Sequence, residues 1–117
     1  MQLRIYHNPR CSKSRATLAL LEARGLEPEV IHYLEQPPDA ATLRSLLAKL
    51  GLTVDELMRR NEPVYKADRE RLEQMDEAGR IDWLATHPQA LQRPIVVAGE
   101  RARIGRPPEA VLEILDS

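Results

Sequence analysis

The spacing of apolar positions changes several times along the chain, and each change marks an element. Residues 2–6 alternate around Leu3 and Ile5, the period of a strand, and Asn8-Pro9 ends it. A helix then begins at Ser12 or Ser14 under a hydroxyl cap; Leu18, Leu20, Leu21 and Ala23 supply its apolar side, and Gly25 stops it. Residues 29–34 read as a second strand. A strand-helix-strand with a crossover of this length implies parallel pairing through a right-handed connection. Gln36-Pro37-Pro38 turns into Asp39, a good N-cap, and Leu43, Leu46, Leu47 and Leu50 recur at helical spacing up to Gly51.

Thr53 and Glu56 have the spacing of a capping box, and Leu52 with Leu57 that of a hydrophobic staple. The helix they open is expected to carry Met58, Arg59 and Arg60 before Pro63 ends it. Residues 66–74 are highly charged with few apolar anchors, and fit either a loop or a short solvated helix. Asp76 or a neighbour caps a helix through Ile81, Trp83, Leu84 and Ala85, closed by His87-Pro88. The period then returns to two. Residues 94–97 and 102–104 form a β-hairpin with a turn at Ala98-Gly99 or Gly99-Glu100, and Pro107-Pro108 opens a last helix with Val111, Leu112, Ile114 and Leu115.

The order β-α-β, several helices, then β-β-α is the thioredoxin plan with a helical insertion. It predicts the α/β class, with a four-stranded mixed sheet covered by helices. With 117 residues and no repeat or linker, the chain is expected to be one domain, residues 1–117, the insertion spanning about 39–88.

Composition narrows the function classes. A net charge of −1 gives no reason to expect nucleic acid or an anionic membrane as partner. No segment approaches the roughly 18 apolar residues of a membrane span, and no basic region precedes an apolar run at the N-terminus, so a cytoplasmic protein is expected. One cysteine forms no internal disulfide and supplies no multi-thiolate zinc site, so thiol chemistry must recruit a second sulfur from outside. His32, within a strand, and His87, before a proline, read as structural; no metal and no bound cofactor are expected, and the chain is expected to be a monomer. Tyr6, Tyr33 and Trp83 read as core.

The single cysteine sits where chemistry is cheap to install. Cys11 lies at a strand-to-helix joint with His7, Arg10, Lys13 and Arg15 within four residues. A helix N-terminus and nearby cations both lower a thiol pKa, and the free N–H groups of the helix start can receive an oxyanion. The competing reading is a small buried hydrophobe, a common fate of free cysteine, but the polar flanks Arg10, Ser12, Lys13 and Ser14 oppose deep apolar burial. A phosphatase-type loop would need an arginine where Thr17 stands, and a dithiol site a cysteine where Ser14 stands. What remains is a monothiol Cys-x-x-Ser site.

Four segments carry a resemblance: residues 7–15 around Cys11; Arg59-Arg60-Asn61 with Tyr65; Arg93-Pro94-Ile95-Val96-Val97; and Arg106-Pro107-Pro108-Glu109. In this order and spacing, running essentially from end to end, they resemble the glutaredoxin-linked arsenate reductase (ArsC) family. The resemblance implies a thioredoxin-like fold and the reduction of arsenate to arsenite. Glutathione would serve as co-substrate, and glutaredoxin as a partner that completes the reduction. It implies that Cys11 is the nucleophile, that Arg59, Arg93 and Arg106 bind the oxyanion, and that His7, Ser14 and Arg15 support the thiolate. Arg60 is the alternative to its neighbour Arg59. Guanidinium groups from separated segments suit a tetrahedral oxyanion, because each donates to a different oxygen. Arg93-Pro94 falls where thioredoxin-like folds carry a cis-proline, and a cis bond is expected there.

Two further readings compete. A glutathione-dependent reductase of mixed disulfides would keep Cys11 but need not use all three arginines. A non-enzymatic, Spx-like regulator of RNA polymerase is weakened by Ser14, which removes the second thiol that such switches commonly use.

Overall fold

A computed structural model of the chain describes residues 2–115. Its contacts divide the chain into two compact units, Met1–Gln36 with Arg93–Ser117 and the inserted Pro37–Gln92.

The first unit is built on a sheet of order β2-β1-β3-β4. β3 (Ile95–Ala98) is buried along its whole length and lies inside the sheet; β2 (Glu29–His32), exposed over most of its length, lies at an edge. β1 (Leu3–His7) runs parallel to β2, with His7 opposite His32, and antiparallel to β3, with Ile5 opposite Val96. β4 (Arg101–Ile104) completes a hairpin with β3. The turn is Gly99-Glu100, and Gly99 takes a φ of 62°, which a residue with a Cβ rarely adopts.

Alternate residues on one sheet face, Leu3 and Ile5 of β1 and Val96 and Ala98 of β3, share a core with Leu21, Val111 and Ile114. Leu21 belongs to α1 (Ser12–Ala23), the crossover between β1 and β2, and Val111 and Ile114 to a closing helix, Pro108–Ile114, wound as a 3₁₀ helix. A βαβ half and a ββ-helix half thus form the thioredoxin-like four-stranded mixed sheet.

The second unit is helical. The carboxylate of Asp39 accepts from the Thr42 N–H at 2.8 Å to start α2 (Ala40–Leu50), which stops at Gly51 with a φ of 70°. The capping box forms: the Glu56 N–H donates to Thr53 Oγ1 at 3.3 Å and the Thr53 N–H to Glu56 Oε1 at 3.0 Å. The helix it opens, α3 (Val54–Leu57), is shorter than expected and does not carry Met58, Arg59 or Arg60. Met58 is extended and bridges Leu91, the Gln92 N–H donates to the Leu57 carbonyl at 2.8 Å, and the Arg59 N–H donates to the Ala90 carbonyl at 2.6 Å. Backbone groups that would have continued the helix are satisfied by a distant segment instead.

Pro63 does not end a helix but begins one. It occupies the first position of α4 (Pro63–Glu73), where its missing N–H has no partner to lose. This helix takes up residues 66–73; its buried anchor is Leu72, and the Trp83 Nε1–H ties it down by donating to Asp68 at 2.8 Å. α5 (Glu77–Thr86) starts under Asp76, whose carboxylate accepts from the Gly79 N–H at 2.8 Å. Trp83 and His87 stack at 4.2 Å between ring centres, and Arg80 pairs with Asp55 at 3.0 Å. Both Trp83 and Tyr33 are buried, in keeping with the core reading. Among the described residues no helix is long and apolar enough to cross a membrane.

Candidate active site

Asn8-Pro9 ends β1, and the backbone turns so that the Cys11 N–H donates to the Asn8 carbonyl at 3.0 Å. Cys11 thereby becomes the N-cap of α1, with extended backbone (φ −95°, ψ 122°) and its carbonyl accepting the first helical bond from the Arg15 N–H at 3.0 Å. The expected hydroxyl cap is absent: Ser12 is the first helical residue, and Ser14 points inward. The sulfur stands where a capping oxygen would stand. No capping bond of standard geometry is formed, yet the Ser14 and Lys13 N–H groups face the sulfur and favour its charged form.

Ser14 is fully buried and connects the loop to the strand. Its Oγ accepts from the Asn8 N–H at 3.0 Å and lies 2.6 Å from His7 Nδ1. Burial, reinforced by His32 and Arg15, pushes the His7 imidazole below its ordinary value. His7 is therefore neutral near pH 7, not one of the cations of the loop, and its contact is with Ser14. Arg15 turns away, donating from Nη1 to the Pro9 carbonyl at 2.9 Å; it braces the loop.

The charges beside the sulfur come from the other end of the chain. Arg106 donates from Nη2 to Cys11 Sγ at 3.6 Å and from Nε to the Arg93 carbonyl at 2.8 Å, so it spans the thiol and the segment that carries the next arginine. Burial alone would push the half-buried Cys11 thiol up; the Ser14 N–H, the Arg93 guanidinium and the Lys13 N–H outweigh it, and the pKa lies below its ordinary value. Arg93-Pro94 is cis, as expected, and Arg106-Pro107 is cis as well, which the sequence did not lead us to expect. The first unit thus brings Cys11, Ser14, His7, Arg93 and Arg106 together. Arg59 belongs to the second unit, where its Nε lies 3.4 Å from Glu62. Among the described residues no group of three His, Cys, Asp or Glu side chains is arranged to hold a metal ion.

Tyr33 is the residue that sequence reasoning assigned to packing alone. It follows β2, is fully buried, and has Asn8, Arg93 and Cys11 as its polar surroundings. The strand expected over residues 29–34 stops at His32, so Tyr33 lies in the turn beyond it, and nothing in the spacing pointed to its hydroxyl.

The chain is similar to known proteins over nearly its whole length. The ArsC family model matches residues 6–114. The uncharacterized protein YfgD of Escherichia coli (strain K12) is 55% identical over 115 residues, covering 97% of each chain. An arsenate reductase of Neisseria meningitidis is 43% identical over 115 residues, 97% of this chain and 98% of that one. The solved structure of an arsenate reductase from Vibrio cholerae superposes with a TM-score of 0.93 at 49% identity, covering 97% of this chain and 98% of that one. The chain belongs to the ArsC family.

Proposed function

We propose that this protein reduces arsenate to arsenite with Cys11 as nucleophile, glutathione as the first external thiol and glutaredoxin as the second. The observation that carries the reading is the placement of one half-buried thiol at the start of α1 with the Arg106 guanidinium 3.6 Å from its sulfur and Arg93 beside it. Cationic donors around a thiolate suit an anionic electrophile, and they neutralise the charge that arsenate brings to an anionic nucleophile. Arg59 is assigned as a third oxyanion donor by its place in the family motif.

The electron balance requires two external thiols. The Cys11 thiolate attacks arsenic and one oxygen leaves as water after protonation; glutathione adds to the same arsenic and a second oxygen leaves likewise. A glutaredoxin thiolate then attacks the glutathione sulfur. The sulfur–arsenic bond breaks, its electron pair remains on arsenic, which becomes As(III), and the mixed disulfide departs. Water releases arsenite and returns Cys11. His7 and Ser14 hold the loop, and Arg93 and Arg106 hold the oxygens. The reducing cytoplasm is the compartment in which such a lone thiol stays available.

Arsenite production by wild type and by Cys11→Ser, with glutathione and glutaredoxin supplied, tests this. Serine keeps the N-cap position, so loss of product reports the missing thiol and not a damaged helix start. Equal production by the two proteins would refute the proposal. A mixed-disulfide reductase is the second reading, favoured by a thiol that stands open to an external sulfur. It predicts that Arg93→Ala and Arg106→Ala abolish arsenate turnover but spare disulfide exchange with glutathione.

A further inference from the structure

Tyr33 has no solvent exposure, and its hydroxyl makes no hydrogen bond of standard geometry. Phenylalanine would fill the same space without leaving a buried polar atom short of a partner, so packing alone gives no reason for a tyrosine. The groups that face the hydroxyl are informative. They are the Arg93 guanidinium and the Asn8 carboxamide, with the Cys11 sulfur within electrostatic range. Arg93 is one of the two arginines beside the thiol. Asn8 is the residue whose carbonyl accepts from the Cys11 N–H, and its Oδ1 accepts from the Arg10 N–H at 3.0 Å.

We propose that Tyr33 is a positioning residue: its buried phenol oxygen is the acceptor that faces the Arg93 guanidinium and the Asn8 carboxamide, and so fixes the Arg93 guanidinium against Cys11. This rests on the reading of Cys11 as nucleophile and Arg93 as an oxyanion donor. A guanidinium only donates, so the phenol oxygen is the acceptor towards Arg93; Asn8 Oδ1 is engaged by the Arg10 N–H, and the carboxamide acts on the phenol in the sense of an Nδ2–H directed at its second lone pair. Burial pushes the phenol above its ordinary pKa, which keeps its proton in place.

Tyr33→Phe tests the proposal through the thiol itself. The pH dependence of Cys11 alkylation by iodoacetamide is expected to shift upward by about 0.5 unit, because Arg93 is held less firmly against the thiolate. With arsenate, glutathione and glutaredoxin, kcat is expected to fall about tenfold with KM within about twofold, and the melting temperature is expected to hold or rise. In an Arg93→Ala background the same substitution is expected to leave the Cys11 titration unchanged, since the hydroxyl acts through Arg93. A Tyr33→Phe protein with the wild-type thiol titration, or a shift that persists in the Arg93→Ala background, overturns the proposal. Wild-type protein without arsenate turnover would refute the reductase reading alone, and the alkylation profile would still decide the role of Tyr33.

Discussion

Gly105→Ala probes how tightly the two ends of the chain are held at the site. Gly105 is buried between the end of β4 and Arg106, and its N–H donates to the Pro94 carbonyl at 2.9 Å. A Cβ at this position would collide with Thr17 Oγ1, stand 2.8 Å from Pro94 Cγ and 3.2 Å from Thr17 Cγ2. Neither neighbour yields easily. Thr17 is fully buried and its hydroxyl donates to the Lys13 carbonyl at 2.8 Å, so moving it disturbs the first turns of α1; Pro94 is a ring within the backbone. Overpacking of this kind costs about 1–3 kcal/mol. An unfolding entropy of about 2.1 cal/mol/K per residue converts each kcal/mol into about 4 °C for 117 residues, so the melting temperature is expected to fall by about 4–12 °C. The displaced atoms adjoin Arg106 and Arg93, so arsenate kcat/KM is expected to fall at least about tenfold. Thr17→Ala removes two of the three close contacts. Thermal melts of both single variants and the double variant should therefore show a favourable coupling of at least about 0.5 kcal/mol. The reasoning fails if Gly105→Ala melts with wild type, or if the two substitutions simply add.

Further outcomes follow from the same geometry. Arg106→Lys keeps the charge, but one ammonium cannot hold both the Arg93 carbonyl and the sulfur, so arsenate kcat/KM is expected to drop about tenfold and steady-state kinetics equal to wild type would contradict it. The Cys11 pKa is lowered, so its alkylation midpoint should lie below that of an unperturbed thiol measured in the same buffer. By linkage the thiolate contributes stability that is present above the unfolded-state value and lost as pH falls through the folded one; thermal melts that gain nothing relative to Cys11→Ser as pH rises through this window would contradict the shift. Asp76→Ala removes the α5 cap, at a cost of about 1 kcal/mol, or about 4 °C in a thermal melt; an unchanged melt would show that the cap is dispensable.

Features set by a few adjacent residues were legible in the sequence. Asp39, Asp76 and the Thr53–Glu56 box cap the helices they were expected to cap, because a cap is a bond between residues two or three apart. The end of α3 was not legible: Leu57 and Arg59 find their partners at Gln92 and Ala90, and no local pattern encodes a bond across that separation. Pro63 illustrates the same limit, since a proline is compatible with the end of one helix and the start of the next, and only the chain's departure at Met58 chooses between them.

At the site, counting cations around Cys11 gave the right outcome for an incomplete reason. Proximity in sequence put His7 and Arg15 into the field, but burial neutralises the first and the Pro9 carbonyl engages the second. The charge that reaches the sulfur comes from Arg93 and Arg106, which only the resemblance could point to. What the sequence could not express at all is that the single thiol stands at the N-cap position of α1. A hydroxyl at Ser12 or Ser14 would have satisfied the first N–H groups of α1; with the sulfur in that place, those groups are left to a weak acceptor as long as the thiol is protonated, and to a strong one once it ionises. The helix start therefore favours the thiolate form of the residue that begins it.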